Sequence, residues 1–345
     1  MKASYHQYFL QFKNPSGTSR GVLSQKETWF IIIEKNGKKG IGECGLLRGL
    51  SIDDRPDYEE KLQWVCKNIT MGEEILWQNL LEFPSIQFGV EMAFQSLKSE
   101  NPFLLFPSDF TNGQKSISIN GLVWMGDEAF MKQQIDQKLA EGFHCLKLKI
   151  GAIDFEKELQ LLHYIRQNYT PEQIEIRVDA NGAFDSETAL IKLNQISGFK
   201  LHSIEQPIQI NQHDSMSELC KTTPIPIALD EELIGVFSLE EKEQLLLKIR
   251  PQYIILKPSL VGGFRGTTEW IELANRLSIG WWITSALESN IGLNAIAQFT
   301  FMQNNAMPQG LGTGGLYTNN FDCPLEVSQG QLWYRSDLEW NCNLL

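Results

Sequence analysis

The chain is poor in what membrane, disulfide-built and nucleic-acid-binding proteins need. No apolar run in its 345 residues approaches the roughly 18 that a membrane-spanning helix requires, so no membrane partner is expected. The six cysteines, Cys44, Cys66, Cys145, Cys220, Cys323 and Cys342, form no CxxC pair. That argues against a disulfide framework or a zinc site and for reduced thiols in a cytoplasmic setting. The five histidines show no HExxH or other metal-like spacing. Positive charge is also scarce: 30 Lys and Arg face 42 Asp and Glu, for a net charge of −12. A phosphate backbone is repelled by such a field and no basic segment offsets it, so nucleic acid is not expected as a partner. A small anionic ligand in a local site is compatible with it. The opening residues, MKASYHQYFLQFKN, lack a continuous apolar stretch and a small-residue cleavage site, so they are not expected to be a signal peptide.

What is present has the composition of a core-forming protein, 42% apolar and 21% charged. Residues 5–14 and 28–34 read as strands, and Asn36-Gly37 turns the second into 40–44, a hairpin signal. A Gly/Ser-rich loop, 14–21, is expected between the first two strands, and helical patterns follow around 57–69 and 88–99. This first stretch reads as a mixed α+β module of about 110 residues. From Ser116 onward, short β-rich runs alternate with amphipathic segments. The runs are 116–124, 145–150, 174–181, 201–207, 225–231, 253–259, 281–289 and 309–314. Between them, Met131, Ile135, Leu139 and Phe143 recur at helical spacing, as do Phe155, Leu159, Leu162 and Ile165. Eight strand-like runs with intervening helices describe a (β/α) barrel; a doubly wound sheet would not need eight units of such even length.

Charged residues interrupt these strands at one recurring period. Lys147 and Lys149 lie in CLKLKI, Asp179 ends IEIRVD, Glu205 ends HSIE, Asp230 ends IPIALD and Lys257 ends YIILK. The last four follow one another at intervals of 25 to 27 residues, about one βα unit. Each alone has an ordinary explanation: an acid before Asn-Gly forms turns, acids suit the start of a helix, and paired lysines suit an exposed strand edge. Recurring at the ends of consecutive strands, they converge on one barrel mouth. Three carboxylates there make a hard, oxygen-only donor set suited to Mg²⁺, with Mn²⁺ as a substitute. Lysines on either side would flank whatever carboxylate the ion holds, and a lysine whose pKa is lowered by neighbouring positive charge can remove an α-proton.

Lys147-Leu148-Lys149, Asp179-Ala180-Asn181, Glu205-Gln206-Pro207, Asp230-Glu231 and Lys257 together resemble the enolase superfamily in its muconate-lactonizing-enzyme-like branch. The resemblance implies an α/β fold: a (β/α)7β TIM-like barrel over 116–319, with an N-terminal α+β capping domain, 1–115, completed by 320–345. It implies Asp179, Glu205 and Asp230 as Mg²⁺ ligands, Lys149 as the base, Lys257 on the opposite substrate face and Lys147 beside them. The segments Lys257–Gly263 and Ser285–Gly292 are most like the dehydratases of menaquinone synthesis in that branch. By that likeness Lys149 takes the proton and returns it to the departing hydroxyl, while Lys257 acts as a fixed cation. Ser285, Ser289 and Asn181 are then expected near the substrate, with Ser19 and Arg20 on a loop that closes over an anionic tail.

The region 310–315 carries no acid, unlike the Asp-x-Asp with which the branch's dipeptide epimerases hold an amine. N-succinylamino acid racemisation, which uses both lysines, stays open as the alternative. A Schiff-base aldolase barrel is the rival of another class, and it leaves three aligned carboxylates without a purpose. Two glycine motifs are decoys. Gly17 to Gly21 matches GxSxG but joins two expected strands, and Gly310 to Gly315 fits GxGxxG with no helix pattern after it.

Overall fold

A computed structural model describes residues 1–18 and 21–344. Three antiparallel strands open the chain, β1 (Lys2–Thr18), β2 (Gly21–Lys35) and β3 (Lys38–Cys44), in the order β1-β2-β3. Asn36 and Gly37 both take positive φ, 53° and 78°, as a two-residue hairpin turn that follows the strand twist demands. Of the Gly/Ser-rich stretch 14–21 expected as a loop, residues 14–18 are instead part of β1 and Gly21 opens β2. Pairing with β2 shifts register between Gln11 and Ser16 and then continues to Thr18 opposite Gly21. A bulge absorbs the irregularity that the composition suggested would end the strand.

The unbroken apolar run of β2 has a simple cause. Trp29, Ile31 and Ile33 face one core, which they share with α1 (Tyr58–Lys67) and α3 (Pro84–Lys98). Phe30 and Ile32 face the other way, into the core that continues through the barrel. A strand covered on both faces has no polar alternation to show. Glycines let α3 lie close on β3: a Cβ at Gly42 would sit 1.8 Å from the carbonyl oxygen of Gly89. A short helix, α2 (Glu73–Gln78), lies between α1 and α3.

The run 116–124 divides. Its first part, β4 (Ile117–Ser118), pairs with the C-terminal hairpin β12 (Leu325–Ser328) and β13 (Gln331–Tyr334). The rest, β5 (Gly121–Val123), starts a seven-stranded parallel sheet with β6 (Cys145–Lys149), β7 (Glu175–Asp179), β8 (Ser203–Glu205), β9 (Ile227–Leu229), β10 (Tyr253–Leu256) and β11 (Gly280–Ile283), in sequence order. The expected eighth strand is not a strand: Gln309 bridges to Ile119 and Gly310 to Thr284, linking the two edges of the curled sheet. Helices α4 (Glu128–Ala140), α5 (Phe155–Asn168), α6 (Ala189–Ser197), α7 (His213–Thr222), α8 (Leu239–Ile249), α9 (Gly263–Arg276) and α10 (Asn290–Met302) follow strands β5 to β11 in turn. This is the barrel-and-cap α/β architecture that the resemblance implied. The C-terminal segment reaches back to the N-terminal sheet, with Phe321 packed on Tyr8 and Phe30 and the Tyr8 hydroxyl donating to Asn319 O at 2.7 Å.

Candidate active site

Parallel register puts the charged residues side by side. Lys149 on β6 lies opposite Asp179 on β7, and Asp179 lies opposite Glu205 on β8. Asp230 and Lys257 come directly after β9 and β10. Alternation along a strand turns Lys147 and Lys149 to one face, away from Leu146 and Leu148, which join the core. The five expected positions therefore occupy the C-terminal ends of five successive strands.

The side chains meet there. Lys147 Nζ lies 2.9 Å from Asp179 Oδ2 and also pairs with Glu205 Oε2. Lys149 Nζ donates to Asp179 Oδ2 at 2.5 Å and to Asn181 Oδ1 at 2.8 Å. Lys257 Nζ pairs with Asp230 Oδ2. Asp179, Glu205 and Asp230 are 0%, 2% and 2% exposed, and a negative charge buried to that degree is costly without a cation beside it.

Burial pulls the Asp179 pKa upward, but the ammonium groups of Lys147 and Lys149 prevail and hold it far below the usual carboxylate range. Glu205 moves the other way, raised by burial and then by the charge of Asp179. For Lys147, burial opposes the charged form, yet the charges of Asp179 and Glu205 keep its pKa above the ordinary lysine value. Lys257 follows the same pattern, with Asp230 first among the charges that overcome burial.

Among the described residues, no three His, Cys, Asp or Glu side chains form a ready-made metal cage; lysine ammonium groups contact the acids instead. The donor set nevertheless fits a hard dication. All three acids are buried, all donors are oxygen, and neither Glu205 oxygen finds a hydrogen-bond partner among the described residues beyond its ion contact with Lys147.

A cavity of about 530 Å³ opens above these groups, with Lys147, Lys149, Asn181, Glu231, Lys257 and Ser285 on its wall. The N-terminal sheet and its following loop contribute Lys13, Leu47 and Leu50. Ser285 shares a 2.6 Å hydrogen bond with Thr313, which also lines the cavity. Asn181 sits at φ 45° and donates to Glu231 Oε1 at 2.8 Å, so it joins the Lys149 amine to a second carboxyl group.

Ser289 is a correction. It is fully buried, caps α10 through Ile291 N, and donates to Glu43 Oε2 at 2.5 Å, so Glu43 rather than a substrate occupies its hydroxyl. Ser19 and Arg20 lie outside the described residues. Sequence reasoning missed Lys13 and Leu47, because nothing local marks a cap residue as facing a cavity more than 100 positions away. It passed over Glu231 as a site residue, although the Asp230-Glu231-Glu232 run was a signal.

Known proteins share both the sequence and the fold of this chain. The family described as Enolase C-terminal domain-like matches residues 130–336, more than half of the chain, and the chain belongs to it. A second family, MenC, N-terminal domain, matches residues 1–97. The o-succinylbenzoate synthase of Desulfotalea psychrophila is 48% identical, over 96% of this chain and 98% of that protein. Within the enolase-like proteins the chain is therefore a member of the o-succinylbenzoate synthase family. The crystal structure of MenC from Desulfotalea psychrophila superposes with a TM-score of 0.86 at 45% identity, covering 96% of this chain and 99% of that one. A dipeptide epimerase from Enterococcus faecalis, solved with magnesium and a dipeptide, shares the fold at 17% identity, with a TM-score of 0.82 and 96% of each chain covered.

Proposed function

We propose that this chain carries out the o-succinylbenzoate synthase reaction as a lyase. It eliminates water from 2-succinyl-6-hydroxy-2,4-cyclohexadiene-1-carboxylate to give 2-succinylbenzoate, a step of menaquinone synthesis in the cytoplasm. The observation that carries this reading is the pair of amines on the cavity wall, Lys149 and Lys257, at the two ends of a strand-to-strand row of three buried acids. Asp179, Glu205 and Asp230 are the residues that would hold Mg²⁺, or Mn²⁺ in its place. When bound, the ion would supply Lewis-acid stabilisation of the negative charge that develops on the substrate carboxylate.

Lys149 removes the α-proton. Asn181 Oδ1 accepts from its Nζ at 2.8 Å, which fixes the position of the amine on the cavity wall. The same Nζ then delivers the proton to the departing hydroxyl, which keeps both transfers on one face of the ring. Lys257 stays protonated in the company of Asp230 and opposes the negative charge from the other side. Lys147 neutralises Asp179 and Glu205 from within the barrel. Ser285 and Asn181 contact the substrate; Ser19 and Arg20 are assigned to its anionic tail by likeness alone. The cavity wall at Gly310, Gly312 and Thr313 carries no acid to hold an amine, which favours a substrate without one. The domain division that goes with this reading is a capping domain of residues 1–115, joined by 320–345, and a catalytic barrel of 116–319; separate family matches over 1–97 and from 130 onward support its first boundary.

The test is an assay of the purified chain with the cyclohexadiene carboxylate and, separately, with an N-succinylamino acid, each with Mg²⁺ and again after chelation. Metal-dependent 2-succinylbenzoate formation as the faster activity is expected. Turnover that persists after chelation, or racemisation as the faster activity, contradicts the reading.

A further inference from the structure

Two carboxyl groups cross from the N-terminal sheet-and-helix layer into the barrel, and the reaction above uses neither. Glu43, on β3, is 0% exposed. Its Oε1 accepts from Ser289 N at 2.9 Å and Thr28 Oγ1 at 2.8 Å, and its Oε2 accepts from Ser289 Oγ at 2.5 Å and Gly292 N at 2.8 Å. Glu91, on α3, is 5% exposed and accepts from Phe264 N at 2.5 Å and Arg265 N at 3.2 Å. Each carboxyl group therefore takes up backbone donors that the first turn of a barrel helix would otherwise leave unpaired, Glu43 on α10 and Glu91 on α9.

The choice of helices matters. Helix α9 follows β10, which Lys257 directly succeeds, and α10 follows the segment 285–287 on the cavity wall. On the other side, Glu43 lies four residues before Leu47, which also lines the cavity. The seats are tight: a Cβ at Gly263 would lie 2.1 Å from Glu91 Oε2, and one at Gly292 would lie 2.7 Å from Glu43 Oε2. Lys26 is buried nearby with no hydrogen-bond partner for its Nζ among the described residues, and burial lowers its pKa despite the opposing charges of Glu43 and Glu288. Burying so many polar groups is costly unless they are held in a defined arrangement.

We propose that Glu43 and Glu91 are positioning residues that together register the N-terminal layer on the barrel, so that its cavity loop at 44–50 closes the substrate cavity correctly over Lys257 and the 285–287 wall. The reacting amines and acids all belong to the barrel, whereas the N-terminal layer supplies cavity wall and the residues assigned to the substrate's tail. Loss of registration therefore weakens substrate binding and leaves the chemical step in place.

The kinetic test rests on the reaction proposed above; hydrogen exchange does not. Glu43→Ala and Glu91→Ala are each expected to raise KM at least fivefold with kcat within about twofold of the parent chain. Glu43→Gln and Glu91→Gln, which keep an acceptor oxygen, restore most of the lost affinity. Residues 44–50 exchange amide hydrogens faster in both alanine variants and near the parent rate in the glutamine variants. A parent chain that does not turn over the substrate defeats the functional reading and leaves the exchange result to decide the registration. An unchanged KM, a loss confined to kcat, or unchanged exchange at 44–50 overturns the proposal. If an alanine variant does not fold, the glutamine variant of the same site is compared with a Glu91→Asp or Glu43→Asp chain. In that case equal KM and equal exchange in Gln, Asp and parent chains overturn it.

Discussion

Lys149 is held by two acceptors of different kinds, a carboxylate oxygen of Asp179 and an amide oxygen of Asn181, whereas Lys257 pairs, among the described residues, with the Asp230 carboxylate. That difference fits a proton carrier on one side and a fixed cation on the other. Lys149→Ala is expected to lower turnover by at least about 10²–10⁴-fold, the range for loss of a positioned acid–base group, with circular dichroism unchanged because Lys147 still pairs Asp179. Lys257→Ala should cost about 10²–10³-fold through lost charge stabilisation. Near-parental activity in Lys149→Ala would remove the base from the mechanism. The charged row was legible in the sequence because polar residues at the ends of apolar strands have few structural reasons to recur at one βα period. Ser289 was misread for the opposite reason: its partner, Glu43, lies 246 residues away, and no local pattern separates a helix cap from a substrate contact.

At the scale of elements, hydrophobic periodicity located the barrel units but not their exact ends. Polar residues expected to close a strand were absorbed by a register shift in β1. The eighth run shrank to the bridges at Gln309 and Gly310, because a glycine-rich segment can touch both sheet edges without continuous pairing. Close packing of β3 on α3 was not readable at all, since a glycine in a strand does not announce what approaches it. Gly42→Ala drives a methyl group against the Gly89 carbonyl and is expected to destabilise the chain by about 1–3 kcal/mol. Gly198→Ala, with nothing within 4 Å and φ −59°, should stay within about 0.5 kcal/mol. Thermal unfolding of the two variants beside the parent checks this, and equal midpoints would refute the packing argument.

Across the whole molecule, the joint between the N-terminal layer and the barrel carries a pH signature. Burial raises the Glu91 carboxyl pKa to about 8, against the partial opposition of the Phe264 and Arg265 N–H groups and the Arg265 charge. The folded chain therefore holds a proton that the unfolded chain, with an ordinary value near 4.5, has released. Stability from this group is fully present below about pH 4.5, declines as pH rises toward about 8, and is flat beyond. Denaturant unfolding at several pH values should show that decline flattened in Glu91→Gln, which cannot titrate. An identical pH dependence in the two chains would show that Glu91 is not its source. The N-terminal module and the barrel were both visible as a change of texture near Ser116, but the joint between them was not, because its contacts link residues 43 and 91 to 289 and 264.

The central claim is that Asp179, Glu205 and Asp230 share one dication between the two amines. Calorimetric titration of Mg²⁺ into the parent chain and into Asp230→Asn tests it most directly. One ion per parent chain, with affinity lost in the variant, is the predicted result; no binding by the parent, or equal binding by both, would contradict it.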